Sequence, residues 1–171
     1  MKRTHLKKLA NLSLLLCMLI PAASWALTSD KEQPIYIDSD QQDLDMNTNK
    51  VIFTGNVKLT QGSILVTADK IIAFRDGKTG KLTEIQGYGK PTHFQQKTDD
   101  GKLMKGQGNK AVYTVSTDLL VLTDDAEVHQ DGSNVKGKVI TYHMGTQKLT
   151  ADGGSGKRVS TVILPAELDQ K

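Results

Sequence analysis

The chain has 171 residues, 37% hydrophobic and 24% charged, with one cysteine and a formal charge of +3. Four basic residues, Lys2, Arg3, Lys7 and Lys8, precede an apolar run; beyond it 18 basic and 19 acidic residues leave a formal charge of −1. That balance excludes a basic nucleic-acid binder, and the lone Cys17 excludes a disulfide framework or a zinc-thiolate site.

Met1–Ala26 reads as a cleaved secretory leader. The basic start leads into Leu9–Ile20, Pro21 breaks the run, and Ser24-Trp25-Ala26 places small residues three and one positions before a cut. The run is shorter than the roughly 20 apolar residues of a membrane span. Leu16 precedes Cys17 where a lipoprotein site needs a small residue, so that site is rejected. The expected mature chain, Leu27–Lys171, has 145 residues, enough for one domain to bury its own core.

Leu27–Gln33 is polar. Pro34–Asp38 alternates as a strand, with Ile35 and Ile37 on one face, and Pro34 belongs at a strand start or sheet edge. Asp38, Asp40, Asp43 and Asp45 follow. Calcium would suit clustered carboxylates, but the ordered loop spacing and closing Glu are missing, so a charged face guarding a sheet edge is expected.

Lys50–Phe74 holds the clearest strand signal. Val57 and Leu59 share a face opposite Asn56, Lys58 and Thr60, and Ile64 and Val66 repeat the pattern after a Gln61-Gly62 turn. A shift of 69 positions lays Leu120–Tyr142 over Val51–Ala73, matching Thr54 with Thr123, Gln61 with Gln130, Val66 with Val135 and Ile71 with Ile140. The shared apolar register indicates a duplicated strand-turn-strand unit.

Between the copies, Arg75–Gly80 is a turn, Leu82–Gln86 a strand, and Gly87-Tyr88-Gly89-Lys90-Pro91 a turn or bulge without a phosphate-binding pattern. Thr92–Lys97 is a strand with Phe94, Asp99-Asp100-Gly101 a hairpin turn, and Leu103–Lys105 and Lys110–Val115 are strands, the second with Tyr113. After the second copy come Lys148–Ala151, a Gly153-Gly154-Ser155-Gly156 turn and a last strand, Arg158–Leu164, stopped by Pro165. No helix is expected after the leader, and strands at this spacing define an all-β, antiparallel sandwich or open barrel, with a jelly roll among the few layouts that accommodate them.

Catalysis finds little support. His93, His129 and His143 remain after the leader, and only His129 and His143 could meet, if their strands pair. A catalytic zinc needs three protein ligands with orienting partners. GxSxG, HExxH and P-loop patterns are absent from the sequence.

Several short motifs occur in a telling order: Gln33-Pro34-Ile35, Ser39-Asp40-Gln41-Gln42, Phe53-Thr54-Gly55-Asn56-Val57, Ala68-Asp69-Lys70, Gly87-Tyr88-Gly89-Lys90-Pro91 and Lys157-Arg158-Val159. Together, over nearly all of the mature chain, they resemble the OstA-like family of periplasmic lipopolysaccharide-transport proteins. The second copy departs from it, with Gly137-Lys138-Val139 in place of Ala68-Asp69-Lys70.

The resemblance implies a twisted, semi-open antiparallel β jelly roll of roughly sixteen short strands, ends left open. It implies a periplasmic carrier, without cofactor or metal, that receives lipopolysaccharide from LptC at the inner membrane, passes it to LptD at the outer membrane, and joins copies of itself end to end. Acyl chains would lie inside at about 0.8 kcal/mol per buried CH₂, with sugars and phosphates in water. By family position, Ile35, Ile37, Phe94 and Tyr113 are expected to touch them, with Val57, Leu59, Ile64 and Val66 lining the same groove. Arg75 is expected at the lipid and partner end. Pro34 and Asp38 mark one assembly edge, Arg158 and Val162 the other. LptC keeps an uncleaved anchor and LptD continues into a barrel, neither of which is expected here. The alternative is a β scaffold or adaptor of the envelope with a merely filled core and no lipid cargo.

Overall fold

The computed structural model describes residues 30–164, so the leader, its cut after Ala26 and Pro165 lie outside the described residues. A short 3-10 turn, Asp30–Glu32, precedes ten strands: β1 (Tyr36–Asp38), β2 (Gln41–Asp45), β3 (Lys50–Gln61), β4 (Ile64–Arg75), β5 (Leu82–Lys97), β6 (Leu103–Thr114), β7 (Leu119–Gln130), β8 (Ser133–His143), β9 (Lys148–Asp152) and β10 (Ser160–Val162). All pair antiparallel in one sheet ordered β1-β3-β4-β5-β6-β7-β8-β10, with β2 also on β3 and β9 also on β8. The first and last strands of this order do not pair, so the sheet stays open.

Each of the six long strands, β3 to β8, is interrupted once near its middle. The ladders break at Thr54/Val57, Thr67/Lys70, Tyr88/Thr92, Gln107/Lys110 and Thr123/Ala126, so the interruptions line up across the sheet. An extra residue in a ladder bends its strand, and a row of such bends folds the sheet over. In β3 the bend is Gly55-Asn56, with φ of 80° and 45°, a left-handed conformation that glycine and asparagine tolerate best. Asp124 and Asp125 take the equivalent places in β7, with φ of 58° and 54°.

The fold produces two facing layers. The first holds β2, one half of each long strand and β9; the second holds β1, the other halves and β10. Counting each bent strand as two gives the sixteen short strands implied by the resemblance. Gly87–Pro91 is therefore a bulge inside one continuous strand, β5, and Leu103–Lys105 and Lys110–Val115 likewise join as β6.

The bend also changes which residues point inward. In β4, Ile64, Val66 and Ala68 face in before it, Ile71 and Ala73 after it; β6 passes from Met104 to Ala111 and Tyr113 in the same way. An odd number of inserted residues reverses the alternation. The duplication survives in the ladder itself: Lys50 pairs with Phe74 and Leu119 with His143, each 69 positions on, and both hairpins break at equivalent places.

Two apolar clusters fill the space between layers. Phe53, Val57, Leu59, Ala68, Ile71 and Ala73 form one at the β3–β4 end. The other, around Phe94, Met104, Leu122, Val128, Ile140 and Tyr142, runs toward β8; half-buried Val66 touches both.

Candidate functional site

The bends close one long side of this sandwich, and the hairpin turns form lips along the other. The first layer contributes the β4–β5, β6–β7 and β8–β9 turns, the second the β3–β4, β5–β6 and β7–β8 turns. Beneath these lips lie two clefts. One, of about 490 Å³, has Gln61, Ile64 and Gln96 on one wall and Tyr113 and Met144 on the other. The second, of about 890 Å³, lies between Met104, Val128 and Val135 of the second layer and Tyr142 and Leu149 of the first, with Leu164 at its margin. Both volumes fall in the range of ligand sites.

The sequence-predicted groove residues divide into two groups. Val57, Leu59 and Phe94 are 1%, 3% and 5% exposed and already packed inside the core clusters. Ile37, Ile64, Val66 and Tyr113 are half-buried on the cluster margins, facing the same interior. Ile37 lies opposite Leu59 across the β1–β3 ladder. Ile35 lies just ahead of β1, is exposed (37%) and joins neither cluster. With Pro34 lacking a donor before it, the ladder begins only at Tyr36.

The Tyr113 hydroxyl donates to Asp118 Oδ1 at 2.9 Å. Burial, then the adjoining Asp118 carboxylate, pushes its pKa far above the ordinary tyrosine value, so it remains a donor. Arg75 ends β4 on the first-layer lip, exposed, and its Nε donates to the Gly80 carbonyl at 2.9 Å. It pins its own turn through that bond.

The two edge strands lie at opposite ends of the strand order. β1 pairs through Tyr36–Asp38, leaving Pro34 just ahead of it and Asp38 exposed at its end. β10 is shorter than the expected Arg158–Leu164: only Ser160–Val162 pairs, with Val162 opposite Asn134, and Arg158 stands outside it, exposed. Gly153 and the following turn carry the chain past the bend in β8 before pairing resumes, which delays the strand.

The histidine pair does not form. His129 faces Asn134 and His143 faces Leu119, at opposite ends of the β7–β8 hairpin. His129 Nε2 instead lies 2.8 Å from Glu127 Oε1. Among the acids after β1, Asp40 accepts from Asn56 Nδ2 at 2.8 Å and Asp45 accepts from Thr48 Oγ1 at 2.6 Å. Among the described residues, no group of three or more His, Cys, Asp or Glu could hold a metal ion.

The larger cleft was missed from sequence, although the duplication pointed to it. Val128 and Val135 stand 69 positions after Leu59 and Val66, and Tyr142 stands 69 after Ala73.

The fold and clefts define an open two-layered β roll with an apolar interior, and comparison with known proteins narrows this class. Residues 36–148 match the family described as LptA/(LptD N-terminal domain) LPS transport protein. The chain is 46% identical to lipopolysaccharide export system protein LptA of Escherichia coli strain K12 over 159 residues, covering 93% of this chain and 85% of that one. It is 41% identical to LptA of Haemophilus influenzae, covering 96% and 98%. A crystal structure of LptH, described as the LptA-homologous periplasmic component of the lipopolysaccharide transport device of Pseudomonas aeruginosa, superposes with a TM-score of 0.72 at 30% identity, covering 80% of this chain and 99% of that one. The chain belongs to the LptA/LptD N-terminal-domain family of lipopolysaccharide-transport proteins, which are carriers and not enzymes.

Proposed function

We propose that the protein is a periplasmic bridge element that holds the acyl chains of lipopolysaccharide between its two layers while the sugars and phosphates stay in water. The observation that carries this reading is the interior: apolar clusters between two layers with unpaired end strands, half-buried Ile37, Ile64, Val66 and Tyr113 on their margins, and a cleft bordered by Ile64 and Tyr113 under the lips. Burial of alkyl chains there supplies the holding energy, at about 0.8 kcal/mol per CH₂. The residues beyond the proposed leader carry no large positive charge, so attraction to an anionic glycolipid is not the main contribution.

In this reading the leader is cut after Ala26 and the mature chain works in the periplasm. It receives lipopolysaccharide from LptC and delivers it to LptD. The β1 edge of one copy meets the β10 edge of the next; different edges make a heterologous contact, which extends without closing. Stacked copies would align their interiors into one apolar path. Arg75, on the lip, contacts a carbonyl, carboxylate or phosphate at the mouth.

One observation favours a scaffold without cargo: Val57, Leu59 and Phe94 are already packed. Extraction of the protein purified from envelopes, followed by mass spectrometry, separates the two. Lipid A acyl chains recovered in stoichiometric amount support the carrier; a lipid-free protein that also takes up no added lipopolysaccharide leaves the scaffold. The same spectra check the leader, since a mass retaining Met1–Ala26 contradicts the cut.

A further inference from the structure

The carrier reading needs the two layers to part, because the deepest interior residues are already in contact. What holds the lips together at the N-terminal end is a strap. Asp30–Gln33 lies across the mouth and is fixed to the second layer by several hydrogen bonds. Asp30 Oδ1 accepts from the Ser63 backbone N–H at 2.7 Å, and Asp30 Oδ2 accepts from Ser63 Oγ at 2.7 Å and from Gln96 Nε2 at 3.2 Å. Gln61 Nε2 donates to the carbonyls of Lys31 and Gln33 at 3.3 and 3.0 Å.

On the first-layer side the strap has a single polar attachment among the described residues: Lys31 Nζ lies 2.6 Å from Asp118 Oδ2. Asp118 is the last residue of the β6–β7 turn and only 7% exposed. Its placement is set by the fold, through Met144 N–H donating to its carbonyl at 3.0 Å and the Tyr113 hydroxyl on Oδ1. Lys31 is different: its side chain is 53% exposed, and water can replace the carboxylate there. The strap is therefore held by several bonds on one lip and by a single ion pair on the other, whose release leaves the 10% exposed Asp118 side chain with the Tyr113 hydroxyl as its donor. Ile64, Tyr113 and Met144, the apolar walls of the smaller cleft, lie directly under it.

We infer that the Lys31–Asp118 ion pair is a latch on the open side of the groove, and that acyl chains enter at this end only when Lys31 lets go of Asp118. This rests on the carrier reading and adds to it a residue pair that sets the rate of loading. Release frees the first-layer lip while the strap stays bound to Ser63, Gln61 and Gln96. The strap then swings with the second layer, and the cleft beneath widens sideways. An entering chain meets Ile64 and Tyr113 first and reaches Val66 and Phe94 after the layers separate.

The test uses the chain without its leader, which contains no cysteine. In the double variant Lys31→Cys/Asp118→Cys, a short bis-maleimide tethers the lips, and the same preparation without the linker controls for folding. Purified lipopolysaccharide is mixed with each protein, and uptake is followed by co-elution. The tethered protein is expected to load at least about tenfold more slowly than its untethered self, because the open state through which loading passes is depopulated. The single variant Lys31→Gln, which removes an exposed partner, is expected to load about two- to fivefold faster than the parent, the span of a partly exposed ion pair. Equal uptake with and without the tether overturns the latch alone. A parent that takes up no lipopolysaccharide overturns the carrier reading and the latch with it.

Discussion

At the scale of single residues, exposure separates side chains packed inside the clusters from those on their margins. Leu122 is 1% exposed inside the larger cluster. Leu122→Ala is expected to destabilise the protein by about 2–5 kcal/mol in urea titration, the range for a buried leucine leaving a cavity. Ile37 is half-buried on an edge strand of three residues. Ile37→Asp should leave the thermal transition within a few degrees of the parent while lipopolysaccharide no longer co-purifies; a variant that carries lipid as the parent does places the groove elsewhere. Arg75→Asp removes the bond to the Gly80 carbonyl and puts an acid on the lip. Transport in an envelope assay should fall, and unchanged transport would leave Arg75 with only the turn it pins.

The turn beside Arg75 also predicts a pH effect. The Thr79 hydroxyl, then the Thr79 and Lys78 backbone N–H groups, hold the Asp76 carboxyl below its ordinary value. A depressed carboxylate stabilises the fold at pH above its unfolded value, and that contribution is lost as pH falls through the folded one. The stability gap between the parent and Asp76→Asn is therefore expected to be full near neutrality and to close below about pH 4 in acid titrations. A gap independent of pH would show that the charged form matters little there.

At the scale of elements, the bend decides what the sequence could reveal. Alternation marked the strand pairs well where no residue is inserted between the compared positions: Val57 and Leu59, or Ile64 and Val66, are inward as read. Across the bend the parity reverses in β4 and β6, so a period-two reading ends one strand and starts another. Gly87–Pro91 reads as a turn or bulge for that reason, and it is the bulge: Gly87 pairs with Ile71 and Ala111 as part of β5. The edges were the least legible, because pairing there depends on where the chain crosses the bend. Pro34 and Arg158 sit beside their strands, not in them. Val162 does pair, opposite Asn134, and is half exposed (50%). Val162→Pro removes a backbone donor from the short edge strand. The circular dichroism spectrum should be kept while self-association and partner binding drop; concentration-dependent light scattering equal to the parent's would contradict the end-to-end strand contact.

At the scale of the whole molecule, one sheet folded along a row of bulges accounts for both the apolar interior and the two free edges. The duplication made half of that plan readable, since β3–β4 and β7–β8 keep the same register 69 residues apart. The groove itself was legible only in part. Sequence alternation identifies an inward face, but it does not distinguish a filled core from a cavity wall, and only the folded structure shows that Val57 is packed while Tyr113 borders a cleft. The strap was invisible for another reason: Lys31 and Asp118 are far apart in the chain, and nothing periodic links them. The most direct measurement is photo-cross-linking in intact envelopes, with the reactive residue placed at Ile37, at Tyr113, or at the exposed Lys58 on the outer face of β3. Adducts with lipopolysaccharide from Ile37 and Tyr113 but not from Lys58 are expected if cargo lies between the layers. No adduct from either interior position, or equal labelling from Lys58, would contradict it.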